Sequence, residues 1–279
     1  MSDKTVKPVY SSKSPELGII SSLKNIYRDR EIVYSLLRRD LKSRYRRSVL
    51  GLFWTLLNPL LFSLVLWVVF VSIFKSELAN GTQFAPYLLA GVLLINFFNQ
   101  GVLQAAESLS NGGGIFLKIR IDPIFVLIAN TLSNLVNFLF GLFALVIVSL
   151  ISKAKISYEF PLILFVAVML TLLITGSGLL LANFFVRFND LKYIVSVGLQ
   201  ILTYLTPIFY PKEMLGDKVR IIVNLNPLTS YLDVFRNLSN GTEIATNADW
   251  LYMIVFSLLM FLIGFSVFRK TWKSTVVMM

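Results

Sequence analysis

Three sets of uncharged polar side chains recur at helical spacing inside otherwise apolar stretches: Asn96, Gln100 and Gln104; Asn130, Asn134 and Asn137; and Ser196, Gln200 and Thr203, with Tyr204 beside the third. Residues three or four apart share a helix face, so each set makes a stripe of amide and hydroxyl groups. Such a stripe can line a wet path that hydrogen-bonds a neutral, hydroxyl-rich solute without holding an ion. It can equally bond one apolar helix to the next. A second concentration of chemistry is basic. In "RRDLKSRYRRSVLGLFWTLLNPLL" the residues Arg38, Arg39, Asp40, Lys42, Arg44, Arg46 and Arg47 carry charge, and none returns until Lys75. Cations against a long apolar run pair with lipid headgroups and fix the orientation of the span that follows. The spacing also allows Asp40 to pair with Arg44, one helical turn on.

Other chemistry is excluded. The 279 residues contain no histidine and no cysteine, which removes disulfides, thiol nucleophiles, the usual zinc sites and imidazole acid–base work. Glu107, Asp122 and Arg187 approach the edges of apolar runs, but no ionisable residue stands well inside one. An ion- or proton-coupled carrier normally buries such groups. The glycine cluster "NGGGIFLK" has neither the spacing nor the Ser/Thr of a phosphate-cradling loop and is expected to turn the chain. No catalytic or metal-ligating residue is nominated, no cofactor is expected in this chain, and any ATPase must be a separate one.

The elements that hold these residues follow from hydropathy. The chain is 56% hydrophobic with a mean hydropathy of +0.73, too apolar for a soluble domain. The expected fold is an all-α integral membrane protein with six transmembrane helices, at 48–74, 84–106, 123–152, 160–186, 193–210 and 250–268. The first apolar run begins too late for a cleaved leader, so it is expected to remain as an anchor. Six spans put both termini on one side. That side would hold the N-terminal segment 1–30, the loop 107–122 with Lys118 and Arg120, the loop with Arg187 and Lys192, and the tail 269–279. Its excess of Lys and Arg makes it cytoplasmic. The net charge of +11 is therefore read as topology, not as affinity for nucleic acid.

Two segments fit neither span nor loop. Over 31–47, Val33, Leu37, Leu41 and Tyr45 recur every fourth residue with Leu36 beside them, opposite a basic face; this predicts an amphipathic helix on the cytoplasmic interface. In 211–249, Met214, Leu215, Val219 and Ile222 stripe one short helix. Leu228, Tyr231, Leu232, Phe235 and Leu238 stripe a second, which should start at Asn226-Pro227 and end at Asn240-Gly241. Both are too short to span, and either dip back into the outer leaflet as re-entrant helices or lie flat on it. Aromatics at Trp54, Phe62, Trp67, Phe97, Phe98, Tyr204, Phe209 and Tyr210 suit an interfacial belt or a lipid-facing surface, and a minority could stack on sugar rings.

From about residue 26 onward the chain resembles the membrane subunit of ABC-type polysaccharide exporters, which carry O antigens, teichoic acids and related lipid-linked glycans. The resemblance rests on "RYRRSVLGLFWTLLNPLL", "FLKIRIDPIFVLIANTLSNLVNFL", "LTYLTPIFYP" and "NPLTSYLDVFRNL". It implies a homodimer in the bacterial cytoplasmic (inner) membrane, bound to two copies of an ABC ATP-binding subunit that holds ATP and Mg. It also implies contact with that subunit through Arg39 and Asp40 on the interface helix and through Ile115, Phe116, Lys118 and Arg120 in a coupling loop. The path would be lined by the amide stripes with Gln200 and Tyr204, and the outward gate by Tyr210, Pro211, Tyr231 and Phe235. The cargo implied is a glycan on an undecaprenyl diphosphate type of lipid, and Arg44, Arg46 and Arg47 stand where guanidinium groups could admit its diphosphate. An ABC exporter of drugs or small lipids and a non-transporting scaffold of a glycan-assembly complex remain as alternatives.

Overall fold

The computed structural model describes residues 27–44, 48–51, 53–74, 84–116, 122–188, 190–210, 212–241 and 244–276. Among them are nine α-helices: α1 (Arg30–Arg44), α2 (Phe53–Phe74), α3 (Phe84–Phe116), α4 (Pro123–Ile151), α5 (Ile163–Arg187), α6 (Leu191–Leu205), α7 (Asp217–Leu225), α8 (Pro227–Asn240) and α9 (Asn247–Val276), with 3₁₀ turns at Phe160–Leu162 and Lys212–Met214. Among the described residues, four stretches are long and apolar enough to cross a membrane: Phe84–Ser110, Pro123–Ile151, Phe160–Arg187 and Asn247–Trp272.

Helix α5 sits at the centre, packed against α3, α4, α8 and α9. Its glycines permit this. A Cβ on Gly176 would lie 2.5 Å from the Met260 carbonyl oxygen of α9, and one on Gly264 would strike Gly176 in return. Close backbone approach at small residues is how apolar helices associate without a hydrophobic drive between them. Gly178 meets Ala105 of α3 in the same way. A large core fills the space between α3, α4, α5, α8 and α9, and a smaller one, with Leu109, Leu127, Leu179 and Phe268, lies toward the end of the molecule that carries α1.

Helix α1 has Glu31 in its first turn and Lys42 and Arg44 in its last, each charge complementing the helix dipole. It docks by Val33 and Leu36 on Phe125, Val126 and Ala129 of α4. The buried pair is spaced by three, with Leu37 half-buried, so the docking face is narrower than the expected four-residue stripe. Helix α4 starts where Asp122 accepts a hydrogen bond from the Ile124 backbone N–H at 3.1 Å, with Pro123 at the first helical position, an arrangement that suits both residues.

The glycine triplet does not turn the chain. Helix α3 is continuous for 33 residues, through Gly112, Gly113 and Gly114 to Phe116. Each glycine costs about 1 kcal/mol of helix propensity, but extending a formed helix requires no new nucleus. The first ten residues of the expected 107–122 loop are therefore a direct extension of the span, about 50 Å long in all.

The fifth apolar helix is shorter than expected: α6 has 15 residues and stops at Leu205, and Thr206 to Tyr210 are non-helical. Pro207, which lacks an N–H, suits a stop there. Helix α8 begins with Asn226 accepting from the Leu228 backbone N–H at 3.1 Å and ends at Gly241 in the left-handed conformation, φ 64°, matching the expected start and end. It does not lie flat on a surface. Every residue from Leu228 to Asn240 except Asn237 is buried, between α3, α5 and α9. Helix α7 is largely exposed.

Candidate functional site

A cavity of about 480 Å³ opens between α2, α3 and α4. Trp54, Thr55, Asn58, Pro59 and Phe62 of α2 line one wall. Asn96, Phe97 and Gln100 of α3 and Asn134, Asn137, Phe138 and Gly141 of α4 line the others, with Thr203 and Phe209 at the edge toward α6. Four predicted amides thus converge, because i, i+4 spacing on α3 faces i, i+3 spacing on α4. Aromatic rings form its floor: Phe97 stacks on Phe138 at 4.6 Å between centroids, and Phe138 abuts Phe235 at 5.9 Å. Amides and ring faces in one chamber can hydrogen-bond and stack on a neutral hydroxylated solute.

Arg44 contributes positive charge to this wall. Its Nε donates to Asp40 Oδ2 at 2.9 Å, and the pair is about four-fifths buried. Its Nη1 donates to Asn134 Oδ1 at 3.4 Å, and its Nη2 to Gln104 Oε1. Gln104 also accepts from Asn134 Nδ2 at 2.9 Å, which reaches back to the Asn130 carbonyl at 3.3 Å. Gln104 and Asn130 are thus drawn into the anchoring of α1 rather than into the cavity wall. The local Asp40–Arg44 pair expected from spacing is present. Arg46 and Arg47 lie outside the described residues.

The remaining predicted residues are dispersed. Gln200 and Tyr204 lie on the exposed face of α6, away from the cavity. Thr203, between them, faces inward and accepts from Asn99 Nδ2 at 2.8 Å, tying α6 to α3. Tyr231 and Phe235 are fully buried; Tyr231 shares a hydrogen bond with Ser257 of α9. Tyr210 donates from its hydroxyl to the Tyr204 carbonyl at 2.9 Å. Arg39 lies with Arg38 and Lys42 along a shallow basic groove on α1. Ile115 and Phe116 form the last turn of α3. Lys118, Arg120 and Pro211 lie outside the described residues.

Sequence reasoning missed Arg236. It is 1% exposed. The available signal was its position four residues after Leu232, on the apolar side of α8. Asn58 was also missed, because a lone amide in an apolar run shows no periodicity. At the α7 end, Lys212 pairs with buried Asp233, and Ser230 Oγ donates to Asp249 Oδ1 at 3.0 Å, around a second cavity of about 410 Å³.

Over 223 residues the chain is 28% identical to the O-antigen export system permease protein RfbA of Myxococcus xanthus, covering 78% of this chain and 84% of that one. It is 26% identical to RfbA of Klebsiella pneumoniae over 86% of this chain and 92% of the other. It is 21% identical to the polysialic acid transport protein KpsM of Escherichia coli over 85% and 92%. Residues 31–239, from the second residue of α1 almost to the end of α8, match the family described as ABC-2 type transporter, and the chain belongs to that family.

Proposed function

We propose that the chain is the transmembrane subunit of an ATP-driven exporter that moves lipid-linked polysaccharide outward across the bacterial cytoplasmic membrane. Its relatives are named as permeases for O antigen and as polysialic acid transport proteins. The observation that carries the reading is the chamber in which Asn96, Gln100, Asn134 and Asn137 converge over the Phe97–Phe138 pair, with Arg44 as its one charged lining residue: rich in donors, acceptors and ring faces, as a sugar chain requires. In this reading α2 and α6 complete a set of six spans with both termini cytoplasmic. Helix α8, buried yet only 14 residues long, is the re-entrant element of the outward gate with Tyr210, Pro211, Tyr231 and Phe235. Two copies of the chain enclose the path between them, so that Gln200 and Tyr204, exposed in one copy, face it as well.

Motive force comes from a separate ATP-binding subunit, with ATP and Mg bound there. It bears on Arg39 and the basic face of α1, on Ile115 and Phe116 at the end of α3, and on Lys118 and Arg120, which follow them in sequence. A lipid diphosphate is drawn to Arg44, Arg46 and Arg47, since guanidinium pairs bidentately with phosphate oxygens.

The test is deletion of the gene with complementation in the native host. The deletion should abolish surface glycan while lipid-linked glycan accumulates inside, and the intact gene should restore export. Surface glycan unchanged by the deletion, together with stimulation of the partner ATPase by small amphiphiles, would assign the chain to small-lipid or drug export instead.

A further inference from the structure

We propose that Arg236 is a positioning residue for the outward end of the cavity: its buried guanidinium clamps the broken chain after α6 and so sets where Phe209 stands. The inference rests on reading the cavity as the translocation path.

Helix α6 ends at Leu205, and the carbonyls that follow must find donors inside the protein. Arg236 supplies them. Its Nη1 donates to the Pro207 carbonyl at 2.9 Å. Its Nη2 donates to the Ile208 carbonyl at 2.9 Å and to the Tyr87 carbonyl, at the start of α3, at 3.4 Å. The guanidinium carbon lies 3.4 Å from the centroid of the Tyr87 ring, a cation–π stack. One planar cation therefore joins α3, α8 and the segment after α6. The next residue after the clamped Ile208 carbonyl is Phe209, which lines the cavity. Tyr210 is pinned in turn to Tyr204.

The geometry needs an arginine. A guanidinium presents five donors in a fixed fork and keeps its charge when buried, whereas an ammonium gathers three donors on one atom and does not reproduce the fork that here reaches three carbonyls from two nitrogens. The space is also closed from the far side. A Cβ on Gly91 would stand 2.8 Å from Ile208 Cγ2 and 3.2 Å from Arg236 Nη2, so Gly91→Ala disturbs the same clamp without altering the arginine.

The experiment uses the absence of native cysteine. The full chain carrying Phe209→Cys is labelled in spheroplasts with a membrane-impermeant maleimide added outside. A second version with Tyr158→Cys, at a fully exposed loop position, reports on general integrity. Introducing Arg236→Lys, or separately Gly91→Ala, should accelerate labelling at position 209 about tenfold, as expected when the closed arrangement loses one charge-assisted hydrogen bond. The rate at position 158 should stay constant. If Arg236→Lys does not accumulate, Gly91→Ala decides. Unchanged labelling at 209, or equal acceleration at both positions, overturns the clamp. Labelling requires neither glycan nor partner, so its failure removes this role alone. The reading of the cavity as a path is judged separately, by glycan export.

Discussion

Arg44, the last residue of α1, donates from Nη2 to the side-chain oxygen of Gln104 on α3, sixty residues further along the chain. The helix expected to meet the ATP-binding subunit is thus bonded directly to the face of α3 that lines the cavity. With Asp40 and Asn134 completing the set, a shift of α1 cannot leave α3 and α4 undisturbed.

Gln104→Leu should weaken that joint. It removes an acceptor shared by Arg44 and Asn134 and leaves a partly buried cation short of one bond, a loss of about 1–3 kcal/mol. Thermal unfolding of the purified chain in detergent should fall by several degrees, and protease cleavage within α1 should accelerate. Unaltered melting and unaltered cleavage would show that the bond holds nothing.

Replacing Arg46 and Arg47 together with Gln, with Arg44 left in its bonds to Asp40, Asn134 and Gln104, should lower glycan export at unchanged protein level in the membrane. The phosphate-pairing role of guanidinium motivates this, and normal surface glycan in the double variant would reject it.

Asn137→Trp should block the cavity. An indole adds bulk to a chamber of about 480 Å³ at a residue that is only partly buried, so the chain should still fold while surface glycan is lost. Wild-type export by the variant would mean that the chamber is not on the path.

Gly264→Leu should abolish accumulation of the protein. A Cβ there strikes the backbone of α5 at Gly176; overpacking costs typically about 1–3 kcal/mol, and more where the obstacle is main chain. Membrane yield measured by immunoblot is the readout, and a normal yield would contradict the close crossing of α5 and α9.

Converting Gly112, Gly113 and Gly114 to Ala should rigidify the last turns of α3, each change adding about 1 kcal/mol of helix propensity. Amide hydrogen exchange over 107–116 should slow. Faster exchange would indicate that the triplet is not helical in the native membrane.

Much of this architecture was legible in the order of residues, for identifiable reasons. Asn226-Pro227 and Asn240-Gly241 bracket α8 because an Asn cap, a Pro at the first position and a left-handed Gly each act locally. The amide stripes of α3 and α4 were visible because period alone places residues on one face. What was hidden depends on neighbours distant in sequence. Helix α3 overrides its glycines by growing from a span already formed. Gln104 and Asn134 bond to one another and both accept from an arginine of α1, a meeting of three distant segments that no local pattern reports. Nothing local marks Arg236 until Pro207 and Ile208, nearly thirty residues earlier, are seen to offer it their carbonyls.

The uninterrupted course of α3 has a mechanical corollary. The rod is gripped by α5 near its middle, where Gly101 meets Ile174 and Ala105 meets Gly178. Gly91 and Phe116 lie on opposite sides of that grip at nearly equal distance, roughly 15–20 Å by helical rise. Any tilt of α3 about that crossing would carry its two ends in opposite directions, and one of those ends is where Gly91 meets Ile208 and Arg236.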